Sequence, residues 1–231
     1  MKKELSKELK LIPHGMSPKM NLVFMISFVI LGIVFELLNY KMSVEDVSVT
    51  MGFNLGGVFL FCAAMFPGQM LISLDIAALV QTSPYKRRLQ TSMLTEITLM
   101  GNLIAMTLII VLRGIACAVT NTSFEKGFAS LCMTGVIGFF IMAFSSVMYK
   151  HFIAALLMLY VLMIAASGGY GYLSFCISRG IMNFSIHPIW VVILCYVLIL
   201  LGALLENIVA KLFYKHDISK LAFGAAMKRC V

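Results

Sequence analysis

Glu36, Glu96, Arg113 and Glu206 are the side chains of this 231-residue chain best placed for unusual chemistry, since each lies inside or at the end of a long stretch without other charges. An ionisable group at membrane depth marks a pathway, a relay or an ion pair, because an unpaired charge in hydrocarbon costs several kcal/mol. Counted along the apolar stretches, Glu36 and Arg113 fall near one edge, and Glu96 and Glu206 near the other, where long side chains snorkel to water. Opposite charges at one edge make Glu36 and Arg113 a candidate pair lining an external pathway.

The other reactive side chains lack catalytic spacing. His14, His151, His187 and His216 are far apart and form no His-Glu-x-x-His metal motif. No Gly-Lys-Ser/Thr phosphate loop occurs, which excludes ATP hydrolysis of the P-loop kind by this chain. A Gly-x-Ser-x-Gly elbow is missing too. Cys62, Cys117, Cys132, Cys176, Cys195 and Cys230 are scattered through or beside apolar runs, as small hydrophobes are, without the paired spacing of a disulfide framework or metal site. The chain is therefore expected to be no enzyme and to hold no metal or cofactor of its own.

Composition dictates the elements that must position these residues. Hydrophobic residues make up 61% and charged residues 12%, with a mean hydropathy of +0.99. Soluble domains run near 45–50% apolar and about 25% charged. A water-soluble globular domain is thereby excluded, and an all-α polytopic membrane protein is predicted. A bilayer core takes about 20 helical residues per crossing. The long, nearly uncharged runs predict six crossings, at Met20 to Leu38, Thr50 to Val80, between Glu96 and Arg113 with apolar character persisting through Val119, Gly127 to Tyr149, Phe152 to about Ser174, and Pro188 to Leu205. The whole chain, 1–231, then forms one transmembrane domain, with 1–19 interfacial, 20–210 the six-helix region and 211–231 a tail.

Of the 18 Lys and Arg residues, 14 fall on the side of the two termini, and Lys41, Arg113, Lys126 and Arg179 on the other. Cytoplasmic loops retain positive charge, which puts both termini in the cytoplasm. The net charge of +8 is accordingly a topology signal and not a footprint for nucleic acid. Met1 to Lys19 is read as retained, since the apolar stretch after it exceeds a signal-peptide core and has no small-residue cleavage site. Asn121-Thr122-Ser123 and Asn183-Phe184-Ser185 fit the glycosylation pattern in external loops.

Three segments exceed a generic bundle. From Thr50 to Val80 is 31 residues, about 46 Å of helix against a core of about 30 Å, so the hairpin protrudes on the cytoplasmic side. At its tip Ser83-Pro84 is a helix-start signal, and Tyr85, Leu89 and Met93 then share one face of a short basic helix carrying Lys86, Arg87 and Arg88. The alternative is a basic anchor lying on the membrane surface. Near the N-terminus Leu5, Leu9 and Ile12 align on a second amphipathic helix whose lysines meet anionic lipid. Between the fifth and sixth crossings, Ser167-Gly168-Gly169-Tyr170-Gly171-Tyr172 predicts a broken, re-entrant element; an ordinary crossing followed by an external loop is the alternative.

This layout resembles the membrane subunit of bacterial type-2 ABC exporters over essentially the whole chain. Its most specific piece is Thr82-Ser83-Pro84-Tyr85-Lys86-Arg87-Arg88-Leu89, which looks like the family's ATPase-coupling helix between helices 2 and 3. The resemblance implies a permease in the bacterial plasma membrane that pairs with a second copy of itself or a similar permease. It also implies two separately encoded ATPase subunits, which hold the ATP and Mg, and export of an amphipathic or hydrophobic substrate such as a peptide toxin, bacteriocin or drug by alternating access. A membrane substrate-binding subunit for vitamin uptake and a non-transporting membrane scaffold are the alternatives; nucleic acid is not an expected partner.

Overall fold

The computed structural model describes residues 18–45, 55–73, 86–121, 128–151, 153–158, 160–161, 164–165, 168–169, 172 and 187–215. Among these residues the regular elements are all helices, with no strand. They are α1 (Pro18–Glu45), α2 (Leu55–Ser73), α3 (Leu94–Thr120), α4 (Phe128–Lys150) and α5 (Pro188–Phe213). A helical turn at Lys86–Arg88 and a π turn at Leu89–Met93 lead straight into α3.

Four stretches, Lys19–Leu38, Leu55–Ser73, Lys86–Val119 and Pro188–Phe213, are long and apolar enough to cross a membrane, and α4 adds a shorter apolar stretch, Ser130–Ser145. Large side chains such as Ile104, Val119, Leu204 and Leu212 stand exposed on the outside of the bundle. Lipid, not water, is the solvent such a surface requires, so the chain is a membrane-associated helical protein.

Local chemistry sets the helix ends. His187 caps α5 in extended conformation, its Nδ1 accepting from the Ile189 N–H, and Pro188 takes the first turn, where its missing donor costs nothing. Asn121 closes α3 in the left-handed region at φ 50°, which Asn tolerates better than most residues, and its N–H donates to the Cys117 carbonyl. α2 continues as helix through Pro67 to Ser73.

The core lies between α2, α3, α4 and α5, where Phe61, Met106, Ile109, Met142, Cys195 and Ile199 are wholly buried. α1 is held on α2 by interleaved rings, with Phe28 edge-on to both Phe59 and Phe66 at 5.4 and 5.5 Å. Contacts between Phe24 and Phe66 at one end and Glu36 and Gly56 at the other make this pair antiparallel. α4 and α5 run in the same direction, because Gly135 meets Cys195, Phe139 meets Gly202 and His151 meets Phe213. One end of the bundle thus collects the start of α3, with Lys86, Arg87 and Arg88, and the close of α5, with Lys211 and Lys215.

Some expectations meet the structure differently. Leu89 and Met93 do not face outward on a separate short helix; they are buried with Leu71 and Ile97, because the basic turn continues through the π turn into α3 and packs on the close of α2. Thr82, Ser83, Pro84 and Tyr85 lie outside the described residues, as do 1–17, 50–54 and 74–80. Gly168, Gly169 and Tyr172 are helical. The rest of that Gly-rich run lies outside the described residues.

Candidate functional site

Polar side chains gather in two layers of the core, and α3 supplies one side of each. Thr98 in one layer and Arg113 in the other are about 22 Å apart along the helix axis at 1.5 Å per residue. Between them the interior is apolar, occupied by Met106 and Ile109 of α3.

The layer far from the basic end is built on Arg113. Its Nε donates to Glu36 Oε1 at 2.6 Å, and its Nη2 donates to Ser130 Oγ at 3.0 Å and, more weakly, to Thr134 Oγ1 at 3.4 Å. One guanidinium therefore ties α1, α3 and α4 together. Glu36 and Arg113 are only 2% and 5% exposed, so the pair is internal and neither side chain snorkels to an edge. Gly56 makes this possible. A Cβ there would lie 2.4 Å from the Glu36 nitrogen and 2.7 Å from its Cα, and only glycine lets the α1 backbone approach α2 so closely. Glu36 Oε2 is buried without a hydrogen-bond partner among the described residues.

The layer toward the basic end is built on Glu206, which is fully buried between helices. Thr98 Oγ1 donates to its Oε2 at 2.7 Å, and Ser145 Oγ donates to its Oε1. One turn along α3, Asn102 donates from Nδ2 to the Thr98 carbonyl at 2.7 Å, while its Oδ1 is buried without a partner among the described residues. Glu206 thus joins α3, α4 and α5 as Arg113 joins α1, α3 and α4. Glu96, the fourth acidic or basic candidate, is exposed on the outer face of α3.

At the basic end the Arg87 guanidinium sits 5.3 Å from the centre of the Tyr214 ring, with Lys215 5.9 Å away from the same ring. Thr91 Oγ1 bonds back to the Arg87 carbonyl at 2.7 Å inside the π turn. Local π turns inside helices occur disproportionately at functional positions. A cleft of about 180 Å³ opens beside α2 and α4, lined by Cys62, Met65, Phe66, Gln69, Ile141 and Phe144, with Gln69 its single polar side chain.

Ser130, Thr134, Thr98, Asn102 and Ser145 are functional neighbours that charge counting misses. Part of the signal is nonetheless in the sequence. Thr91, Thr95, Thr98 and Asn102 recur at helical spacing on one face of α3, and all four are buried. Outside both layers, Thr107 Oγ1 and the Tyr196 hydroxyl meet at 2.8 Å between α3 and α5. Tyr196→Phe is expected to lower stability by only about 0.6 kcal/mol, the usual size of such a bond between membrane helices. Unfolding of the reconstituted variant by rising SDS mole fraction checks this.

Comparison with protein-family models, with curated proteins and with solved structures gave no match.

Proposed function

We propose that this chain is the transmembrane subunit of an ATP-driven exporter, with hydrolysis carried out by two separate ATPase subunits bound at the basic end. The observation that carries the reading is the rigid path from that end into the bundle. The Lys86–Arg88 turn continues without a break into α3, and α3 bears both Thr98 and Arg113. A push on the basic turn is therefore delivered to both polar layers at once.

Placing the basic end in the cytoplasm follows the positive-inside rule. Six crossings are supported by the direction of α4 and α5. Two helices that run the same way through a bilayer need an odd number of crossings between them, and the described helical residues from 153 to 172 are mostly apolar. In this conformation Arg113 closes the external side by holding α1, α3 and α4 together. Outward opening requires those bonds to break, which is a hinge or rigid-body transition between two packings. The apolar cleft beside α2 and α4 suits the hydrophobic part of an amphipathic cargo, be it a peptide toxin, bacteriocin or drug. A second copy of the chain or a similar permease completes the pathway.

The test reverses the charge of the turn. Arg87→Glu with Arg88→Glu, co-expressed with a candidate ABC ATPase subunit, is expected to lower recovery of the ATPase on the purified permease about tenfold, the effect of 1.4 kcal/mol. Undiminished complex formation with full transport-coupled hydrolysis would overturn the coupling role.

A further inference from the structure

Glu206 is a carboxylate in a wholly buried position whose described partners are two hydroxyls and no cation. Hydroxyl donors satisfy lone pairs but do not neutralise charge, and an uncompensated ion at membrane depth is costly. Among the described side chains, the charged groups of the surrounding elements do not supply the balance. On α3 and the turn before it, Glu96 is exposed, Arg87 lies over Tyr214, Arg88 is half-buried and itself engaged, Lys86 is partly exposed, and Arg113 belongs to the distant layer with Glu36. On α4 the facing group is Ser145, and His151 beyond it packs on Phe213. On α5, Lys211 and Lys215 are exposed.

A second observation points the same way. Asn102, fully buried one turn from Thr98 on the same face of α3, has a carboxamide oxygen without a partner among the described residues. With Asn102 Nδ2 turned to the Thr98 carbonyl, the acceptors of the cluster are a carboxylate, two hydroxyls and a carboxamide oxygen, and such a set suits a hard cation. Its single negative charge selects a monovalent one, since a divalent ion would leave an excess positive charge in the core.

We propose that Glu206, with Thr98, Ser145 and Asn102, forms an intramembrane site for one exchangeable monovalent cation, either a proton or a sodium ion. Thr98 and Asn102 lie on α3, the helix that continues from the basic turn, so occupancy of the site is placed to bias the packing of α3 against α4 and α5. This inference needs neither the ATPase nor the cargo, and its test uses neither.

The purified full-length chain in lipid nanodiscs is titrated with radioactive sodium, and in parallel its infrared difference spectrum is recorded between about pH 5 and about pH 9, a range wide enough for a buried carboxyl. Saturable binding of one sodium ion per chain, weakened about tenfold or more in Glu206→Gln, establishes the sodium form. A protonated-carboxyl band that changes with pH and is missing from Glu206→Gln, without sodium binding, establishes the proton form. If Glu206→Gln fails to fold, Ser145→Ala serves instead, and a shift in sodium affinity or band position at preserved helicity supports the site. Absence of both sodium binding and a pH-dependent carboxyl band in the wild type overturns the proposal, as does an unaltered response in the variants.

Discussion

Arg113→Met is expected to destabilise the bundle by about 3–5 kcal/mol, the cost of leaving a buried carboxylate without its counter-charge. The size follows from the burial of both partners and from the reach of the guanidinium, which also holds Ser130 and Thr134 of α4. Losing it strands Glu36 and loosens three helices together. The double variant Glu36→Leu with Arg113→Met should recover most of the loss, because buried ion pairs are often replaced by apolar residues at little cost. SDS-titration unfolding of both variants in mixed micelles decides the matter. A loss under about 1 kcal/mol in the single variant would mean that the pair reaches water, as exposed pairs do.

Gly56→Val should reach at least the upper end of the usual overpacking cost, about 3 kcal/mol. The added Cβ would meet backbone atoms of Glu36, which cannot rotate out of the way, so α1 must move off α2 as a unit. That movement also withdraws Glu36 from Arg113. Gly56→Val and Arg113→Met therefore disrupt one shared contact, and the double variant should fall short of the sum of the two. Gly114→Ala is the control, since a Cβ there meets nothing within 4 Å. It should leave stability unchanged or raise it slightly through helix propensity. The same SDS titration, with thermal unfolding as a second measure, reads all three.

Part of this was legible in the chain, and the division has a physical cause. Glu36 and Arg113 can be read as partners because each is isolated in an uncharged run, the two have opposite sign, and they fall at one edge of the predicted crossings. Gly56 follows Gly52 by four residues in an apolar run, a spacing that permits close helix approach, although only the structure shows that its neighbour is the backbone of Glu36. Position along the chain places Glu206 near an edge but does not reveal that it is enclosed between helices. Its burial depends on α5 remaining helical to Phe213 and on Thr98 and Ser145 arriving from helices remote in sequence, which no local pattern encodes. The π turn is hidden likewise. Tyr85, Leu89 and Met93 are spaced for a surface helix, yet Leu89 and Met93 find Leu71 and Ile97 instead, so tertiary packing decides which face is outer.

The shared direction of α4 and α5 has a consequence for biogenesis. Ser145 and Glu206 are 61 residues apart, so at about 5–20 residues per second the ribosome takes roughly 3 to 12 s to deliver one after the other. Throughout that interval the newly inserted α4 presents its hydroxyls to lipid or to the insertion machinery, with its principal neighbour still unmade. Assembly of the described bundle must therefore wait for α5, and a ribosome stalled before α5 leaves a chain whose inner face is open to membrane quality control.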